Sequence, residues 1–64
     1  MDVATLADLL RQTAEQHHPY EQTGPEHEWS DWYAAYLNAR LEGSSSEQAS
    51  EAAGAYVESV LGGG

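Results

Sequence analysis

Histidine and acidic side chains concentrate in one short region of the sequence. They are His17, His18, Glu21, His27, Glu28 and Asp31. Imidazole nitrogen and carboxylate oxygen atoms are common ligands of zinc and other divalent cations. In a helix, His27 and Asp31 would share one face because they are four residues apart. One hypothesis is therefore a divalent metal site at the junction of two helices. Its ligands would come from His17, His18, His27, Glu28 and Asp31.

The same residues also have a structural interpretation. They can be surface and helix-capping side chains, with His17 at the edge of the core. Their spacing matches no strong metal motif such as H-E-x-x-H. The sequence therefore leaves both interpretations open.

A second candidate is the aromatic stretch 27–40, which contains both tryptophans and two of the four tyrosines. These rings could form the core, line a pocket for a flat or cationic ligand, or leave one edge exposed as an interface. That edge would be Trp32 with Tyr36, or Trp29 with Tyr33. Arg40 could stack on a ring, bind a carboxylate, or make a structural ion pair. The candidate ligand or interface residues are Trp29, Trp32, Tyr33, Tyr36 and Arg40.

Three amphipathic helices would position these residues, and the first is predicted over 3–17. Asp2 is its expected N-cap. Pro19 disfavours helical geometry at the residue before it, so the helix should end there. Residues 19–24 are then a connection that Tyr20 pins against the domain. The apolar face, at three- and four-residue spacing, consists of Val3, Leu6, Leu10, Thr13, Ala14 and His17, with Leu9 beside it.

The second helix is predicted over 25–42. Thr23 and Glu26 fit a capping box, Pro25 suits the first turn, and Gly43 suits the position after the C-cap. The apolar stripe follows helical spacing. It consists of Trp29, Trp32, Tyr33, Tyr36, Leu37, Arg40 and Leu41.

The third helix is predicted over 46–61, with residues 62–64 as a flexible tail. Ser44 or Ser45 can cap it, since Glu47 and Gln48 follow three residues later. Gly54 indicates close contact with a neighbouring helix. The predicted buried face consists of Ala49, Ala52, Ala53, Tyr56, Val57, Val60 and Leu61. Residues 1–64 are therefore predicted to form one all-α domain of three helices joined by short loops.

The composition excludes several classes of function. The formal charge is −9, with no lysine and no cysteine. Binding to nucleic acid or to an anionic membrane is not expected, because both need a basic surface. Disulfides and thiolate metal sites are excluded. No apolar run reaches about 18 residues and the N-terminus lacks a basic signal region, so we expect a cytoplasmic protein.

Three hypotheses for function follow. The first is a small acidic accessory or interaction protein that self-associates, as a homodimer, or binds a partner protein through the aromatic second helix. The second is a small-ligand or divalent-metal-binding protein that uses the histidine and acid cluster; no other cofactor is implied. The third is a small enzyme subunit that needs a partner chain to enclose a site. No catalytic residue is predicted, because the sequence has no cysteine, glycine-rich phosphate loop or serine nucleophile motif.

Residues 17–21, 26–36 and 40–45 together resemble short bacterial proteins that are often labelled bleomycin-resistance or glyoxalase-related. The resemblance spans most of residues 5–60. Its distinctive part is the pattern His-x-Trp-x-x-Trp-Tyr, formed by His27, Trp29, Trp32 and Tyr33. The label implies a βαβββ fold with a metal or drug cleft between paired modules. This sequence has no strand pattern, so we expect neither the βαβββ fold nor the catalytic residues of those proteins in this chain.

Overall fold

The computed structural model describes residues 2–62, which form three α-helices joined by short loops. They are α1 (Val3–Thr23), α2 (Trp29–Leu41) and α3 (Ser46–Gly62). The predicted all-α, three-helix architecture is confirmed, and the described residues contain no strand. None of these helices combines the length and the apolar character needed to cross a membrane.

Helix α1 is longer than predicted, because it continues through Pro19 to Thr23. A proline inside a helix costs about 3 kcal/mol, since it lacks an N–H and crowds the preceding turn. Two contacts beyond the proline offset this cost: the Tyr20 ring packs on Trp32, and the Thr23 hydroxyl donates to the Pro19 carbonyl oxygen at 3.0 Å. The predicted end at residue 17 and the predicted connection over 19–24 are therefore wrong.

Helix α2 begins later than predicted. The chain from residue 24 to residue 28 is outside any helix, and Glu28 is the N-cap. The capping box of Thr23 and Glu26 is wrong because Thr23 belongs to α1. The expectation that His27 and Asp31 share a helical face is also wrong, since His27 precedes the helix.

The end of α2 and the start of α3, which meet at residues 42–45, lie where Gly43 and Ser45 predict them. Gly43 has φ +103°, a left-handed conformation that favours glycine, and its N–H donates to the Arg40 carbonyl oxygen. The Ser44 N–H donates to the Ala39 carbonyl oxygen, which completes a Schellman turn. Ser45 caps α3. Its hydroxyl accepts from the Gln48 N–H at 3.2 Å, and its own N–H donates to the Gln48 side chain at 3.1 Å.

Contacts between the helices fix their directions. Arg40, near the end of α2, donates to Gln12 in the first half of α1 at 2.8 Å. At the opposite end, His27 precedes α2 and contacts His17 in the second half of α1. Helices α1 and α2 are therefore antiparallel.

Helix α3 runs in the same direction as α1. The Ser50 hydroxyl donates to the Gln16 side chain at 3.1 Å, and Gly54 lies beside Tyr20 one turn later on both helices. The chain therefore follows an up-down-up path, in which α3 packs most extensively against α2.

The core is narrower than the predicted apolar faces. Large rings from α2 pack against small side chains spaced four residues apart on α3. Helix α1 buries a stripe with the same spacing. Leu6 and Leu10 remain exposed beside that stripe, as do Tyr56, Val60 and Leu61 on α3. The buried residues are Leu9, Thr13, His17, Trp32, Tyr36, Ala49, Ala53 and Val57.

Candidate site at the junction of α1 and α2

His17 is the only buried histidine of the described chain, at 4% exposure. It lies on the inner stripe of α1, four residues after Thr13. Its ring centroid is 5.1 Å from that of Trp32 and 5.2 Å from that of Tyr33. Its Nδ1 atom is 3.3 Å from a carboxylate oxygen of Glu21, one turn further along α1.

His27 approaches His17 from the segment between the helices. The two Nε2 atoms are 2.8 Å apart, and the rings are nearly perpendicular, at 87°. The Nδ1 atom of His27 lies 2.8 Å from the Pro25 carbonyl oxygen. The Tyr20 ring packs edge-to-face on His27, with centroids 5.1 Å apart. These contacts hold both imidazole rings in defined orientations.

The oxygen atoms beside the two rings determine where their protons lie. A carbonyl oxygen only accepts hydrogen bonds, so Nδ1 of His27 must carry the hydrogen that it donates to Pro25. An ionised carboxylate also only accepts, so Glu21 favours a proton on Nδ1 of His17. Nε2 of His27 is then an acceptor, so neutral His17 directs its single N–H either from Nε2 to His27 or from Nδ1 to Glu21.

Electrostatics at this site favour neutral His17. Burial lowers the pKa of His17, because the charged ring loses solvation. The carboxylate of Glu21 acts in the opposite direction, while the neighbouring His27 and His18 lower the pKa further. Desolvation is the largest effect, so the buried ring is available as a neutral base at neutral pH.

The other predicted metal ligands do not join this pair. His18 points away from His17 because it is the next residue on α1, and its Nε2 atom contacts the Gln22 side chain at 3.2 Å. Glu28 is the exposed N-cap of α2, and Asp31 lies in the first turn of that helix. Within residues 2–62, no group of three or more histidine or acidic side chains is arranged to hold a metal ion. The five-residue site therefore stays a prediction, for which the structure supplies two convergent members.

The aromatic residues of α2 divide into a buried pair and an exposed pair. Trp32 and Tyr36 are 1% and 0% exposed, and their rings stack with centroids 5.3 Å apart. Trp29 is 62% exposed and packs edge-to-face on the half-buried Tyr33, with centroids 5.1 Å apart. Of the two edges that the sequence left open, Trp29 with Tyr33 is therefore the one that faces solvent.

Of the alternatives that the sequence left open for Arg40, the structure shows contact with an aromatic ring. Its Nη1 atom donates to Gln12 at 2.8 Å and to the Tyr36 hydroxyl at 3.1 Å. Its guanidinium carbon is 5.9 Å from the centre of the Tyr36 ring. Arg40 thus links α2 to α1 through neutral groups, and it forms neither a carboxylate clamp nor an ion pair with residues 2–62.

Sequence reasoning missed two members of the junction site. The sequence places the acid Glu21 near the histidines, but its contact with His17 follows from the helix continuing through Pro19. The Pro25 carbonyl oxygen carries no sequence signal, because any residue supplies a carbonyl. The spacing of His17 and Glu21, four apart, indicates the contact once α1 continues through Pro19.

Surface depressions lie beside His27 and between the helices. A cleft of about 350 Å³ opens beside His27, and its walls are formed by Glu21, Gly24, Pro25, Glu26 and His27. A more apolar groove of about 470 Å³ lies between α2 and α3. Half of its lining residues are alanines, and Tyr56 and Glu42 are among the others. Only the first depression adjoins the histidine pair.

Comparison with known proteins adds no relatives. No protein-family model matches the chain, and no curated protein or solved structure is significantly similar to it. The resemblance to bleomycin-resistance and glyoxalase-related proteins therefore stays a prediction, and function must be argued from the geometry.

Proposed function

We propose that this protein is a small accessory module that binds a basic segment of a partner protein through Trp29 and Tyr33. The observation that carries the proposal is the exposure of Trp29, at 62%, on a well-formed helix. Its neighbour Tyr33 holds the indole edge-to-face, so the ring is presented in a defined orientation. Tryptophan and tyrosine are the residues most enriched among those that dominate binding energy.

The charge distribution supports a basic partner. The chain carries a formal charge of −9, and the exposed Glu26 and Glu28 lie just before Trp29. Both arginines are engaged within the fold: Arg11 pairs with Asp8, and Arg40 bonds to α1 and Tyr36. An arginine or lysine of a partner would meet acidic groups and an exposed indole face, which attracts cations.

A titration with a designed helical peptide tests this proposal. The peptide carries arginine and leucine on one face, and a matched control peptide has glutamate in place of arginine. We expect only the basic peptide to bind, with an affinity that falls as salt is raised. Trp29→Ala should weaken binding by about 30-fold, the loss of about 2 kcal/mol typical of a dominant interface tryptophan.

Tyr56→Ala provides the matched control, because Tyr56 is another exposed aromatic residue, on α3. This substitution should leave the affinity unchanged. Equal weakening by the Tyr56 and Trp29 substitutions, or equal binding of both peptides, would contradict the proposed surface.

Self-association is a second candidate, which the exposed end of α3 favours. Val60 and Leu61 are each about half exposed there, and Tyr56 lies one turn before them. Two copies with a charge of −9 repel each other, so salt should strengthen self-association, whereas it should weaken binding to a basic partner. Sedimentation of the protein alone at low and high salt separates the two candidates.

A further inference from the structure

The two imidazole rings at the α1–α2 junction turn their Nε2 atoms toward each other. Each ring directs Nδ1 to an oxygen atom: His17 to the Glu21 carboxylate and His27 to the Pro25 carbonyl. A metal-bound histidine usually places its other ring N–H on such an oxygen, which fixes the tautomer and orients the ligand atom. Here both ligand atoms, the two Nε2 nitrogens, point at one another at 2.8 Å.

At that distance one ring can donate a hydrogen bond to the other, or both nitrogen atoms can bind one cation. A metal ion uses the lone pairs of both Nε2 atoms, and their convergence places two ligand atoms at one point. A metal ion requires a neutral imidazole with its hydrogen on the other nitrogen, and the oxygen acceptors beside both Nδ1 atoms favour that tautomer.

We propose that His17 and His27 bind a transition-metal cation, with Zn²⁺ as the simplest case, through their Nε2 atoms. Tetrahedral zinc with Zn–N bonds of about 2.0–2.1 Å separates two ligand nitrogens by about 3.3 Å. The pair would open by about half an ångström from its present separation. His27 can supply this movement, because it lies between the helices and is only partly buried, whereas His17 is fixed in the core.

The site offers two protein ligands and access from solvent. The cleft that opens beside His27 is lined by Glu21 and Glu26, so water can reach the metal and its positive charge is balanced. The remaining coordination positions would be taken by water or by a group from a partner. Imidazole ligands favour Zn²⁺, Ni²⁺ and Cu²⁺, whereas Mg²⁺ and Ca²⁺ favour oxygen ligands. This inference does not depend on the proposed binding of a basic partner.

Calorimetric titration with Zn²⁺ and, separately, Mg²⁺ tests the proposal on the whole chain. We expect one Zn²⁺ per chain and no matching Mg²⁺ site. His27→Gln should weaken Zn²⁺ binding by more than about tenfold, since loss of an outer-shell partner alone costs about 10–100-fold. His18→Gln is the matched control and should leave binding unchanged, because His18 is the exposed neighbour of His17.

Nitrogen-15 NMR of the unsubstituted protein keeps the test valid even if His27→Gln does not fold. Zn²⁺ should shift the Nε2 resonances of His17 and His27, while those of His18 stay in place. The proposal is overturned if Zn²⁺ binds equally well to folded His27→Gln, which would indicate binding to surface acids. It is also overturned if Zn²⁺ leaves the spectrum unchanged and a shared N–H···N proton joins the two rings.

Discussion

Replacing Gly54 with alanine is predicted to stabilise the protein. Gly54 lies inside α3, where a glycine is the residue expected at a close contact between helices. In the structure, a Cβ atom at this position would lie 3.4 Å from Cε1 of the Tyr20 ring. That is an ordinary van der Waals distance, so a single methyl group fits beside the ring without displacing it.

The expected gain comes from the backbone. Glycine inside a helix is about 1 kcal/mol less favourable than alanine, because it loses more conformational freedom on folding. We therefore expect Gly54→Ala to raise the free energy of unfolding by about 1 kcal/mol. For a domain of this size, that gain corresponds to a rise in Tm of about 4–8 °C.

Urea unfolding followed by circular dichroism measures the change, and Gly54→Val provides the contrast. The additional carbons of valine need space that the Tyr20 ring occupies, so this variant should lose about 1–3 kcal/mol. Truncation of the ring, as Tyr20→Ala, should reduce the loss caused by valine. A lower free energy of unfolding for Gly54→Ala would refute the reasoning, because it would place α1 closer to α3 than described.

Three further predictions test the local structure in the same urea assay. Gly43→Ala should lower the free energy of unfolding by about 1–2 kcal/mol, because the positive φ is unfavourable for a residue with a Cβ; an unchanged value would contradict the Schellman turn. Ser45→Ala should cost about 1 kcal/mol through loss of the N-cap, with the exposed Ser59→Ala as control. Tyr20→Phe should be neutral or stabilising at pH 7, since the hydroxyl is buried without a hydrogen-bond partner in residues 2–62. Burial and the charge of Glu58 raise the pKa of Tyr20, so its contribution to stability is complete below about pH 10 and is lost as the pH rises through the folded-state pKa. This alkaline loss should be smaller in Tyr20→Phe, and an equal loss in both proteins would contradict the buried position of the hydroxyl.

The sequence predicts the helices well where local signals act alone. Three- and four-residue spacing identifies all three helices, and the signals at Gly43 and Ser45 correctly place the end of α2 and the start of α3. Pro19 misleads because its local cost is offset by packing of Tyr20 against Trp32, a contact between distant parts of the chain. Tertiary packing of this kind has no signature in local spacing.

The candidate site was only partly predictable for the same reason. Proximity of His17 and His27 follows from a short connection between helices, and the structure brings these two together. Composition does not show that His18 is outside the site. Its exclusion follows from the helix, because adjacent helical residues point about 100° apart and His17 is the one that faces the junction. Whether Trp29 or Trp32 is exposed depends on where α1 lies. The periodicity of the sequence defines the apolar stripe of α2, but it does not say how much of that stripe a neighbouring helix covers.

The central claim is that α2 buries Trp32 but presents Trp29 to a partner. Binding of the basic peptide to Trp29→Ala, in protein whose free energy of unfolding is measured alongside, tests this claim most directly. We predict that stability stays within about 0.5 kcal/mol of the unsubstituted protein, as is usual for surface substitutions, while affinity falls by about 30-fold. Unchanged affinity would contradict the claim, as would a loss of about 3–5 kcal/mol in stability, which is typical of a tryptophan removed from a core.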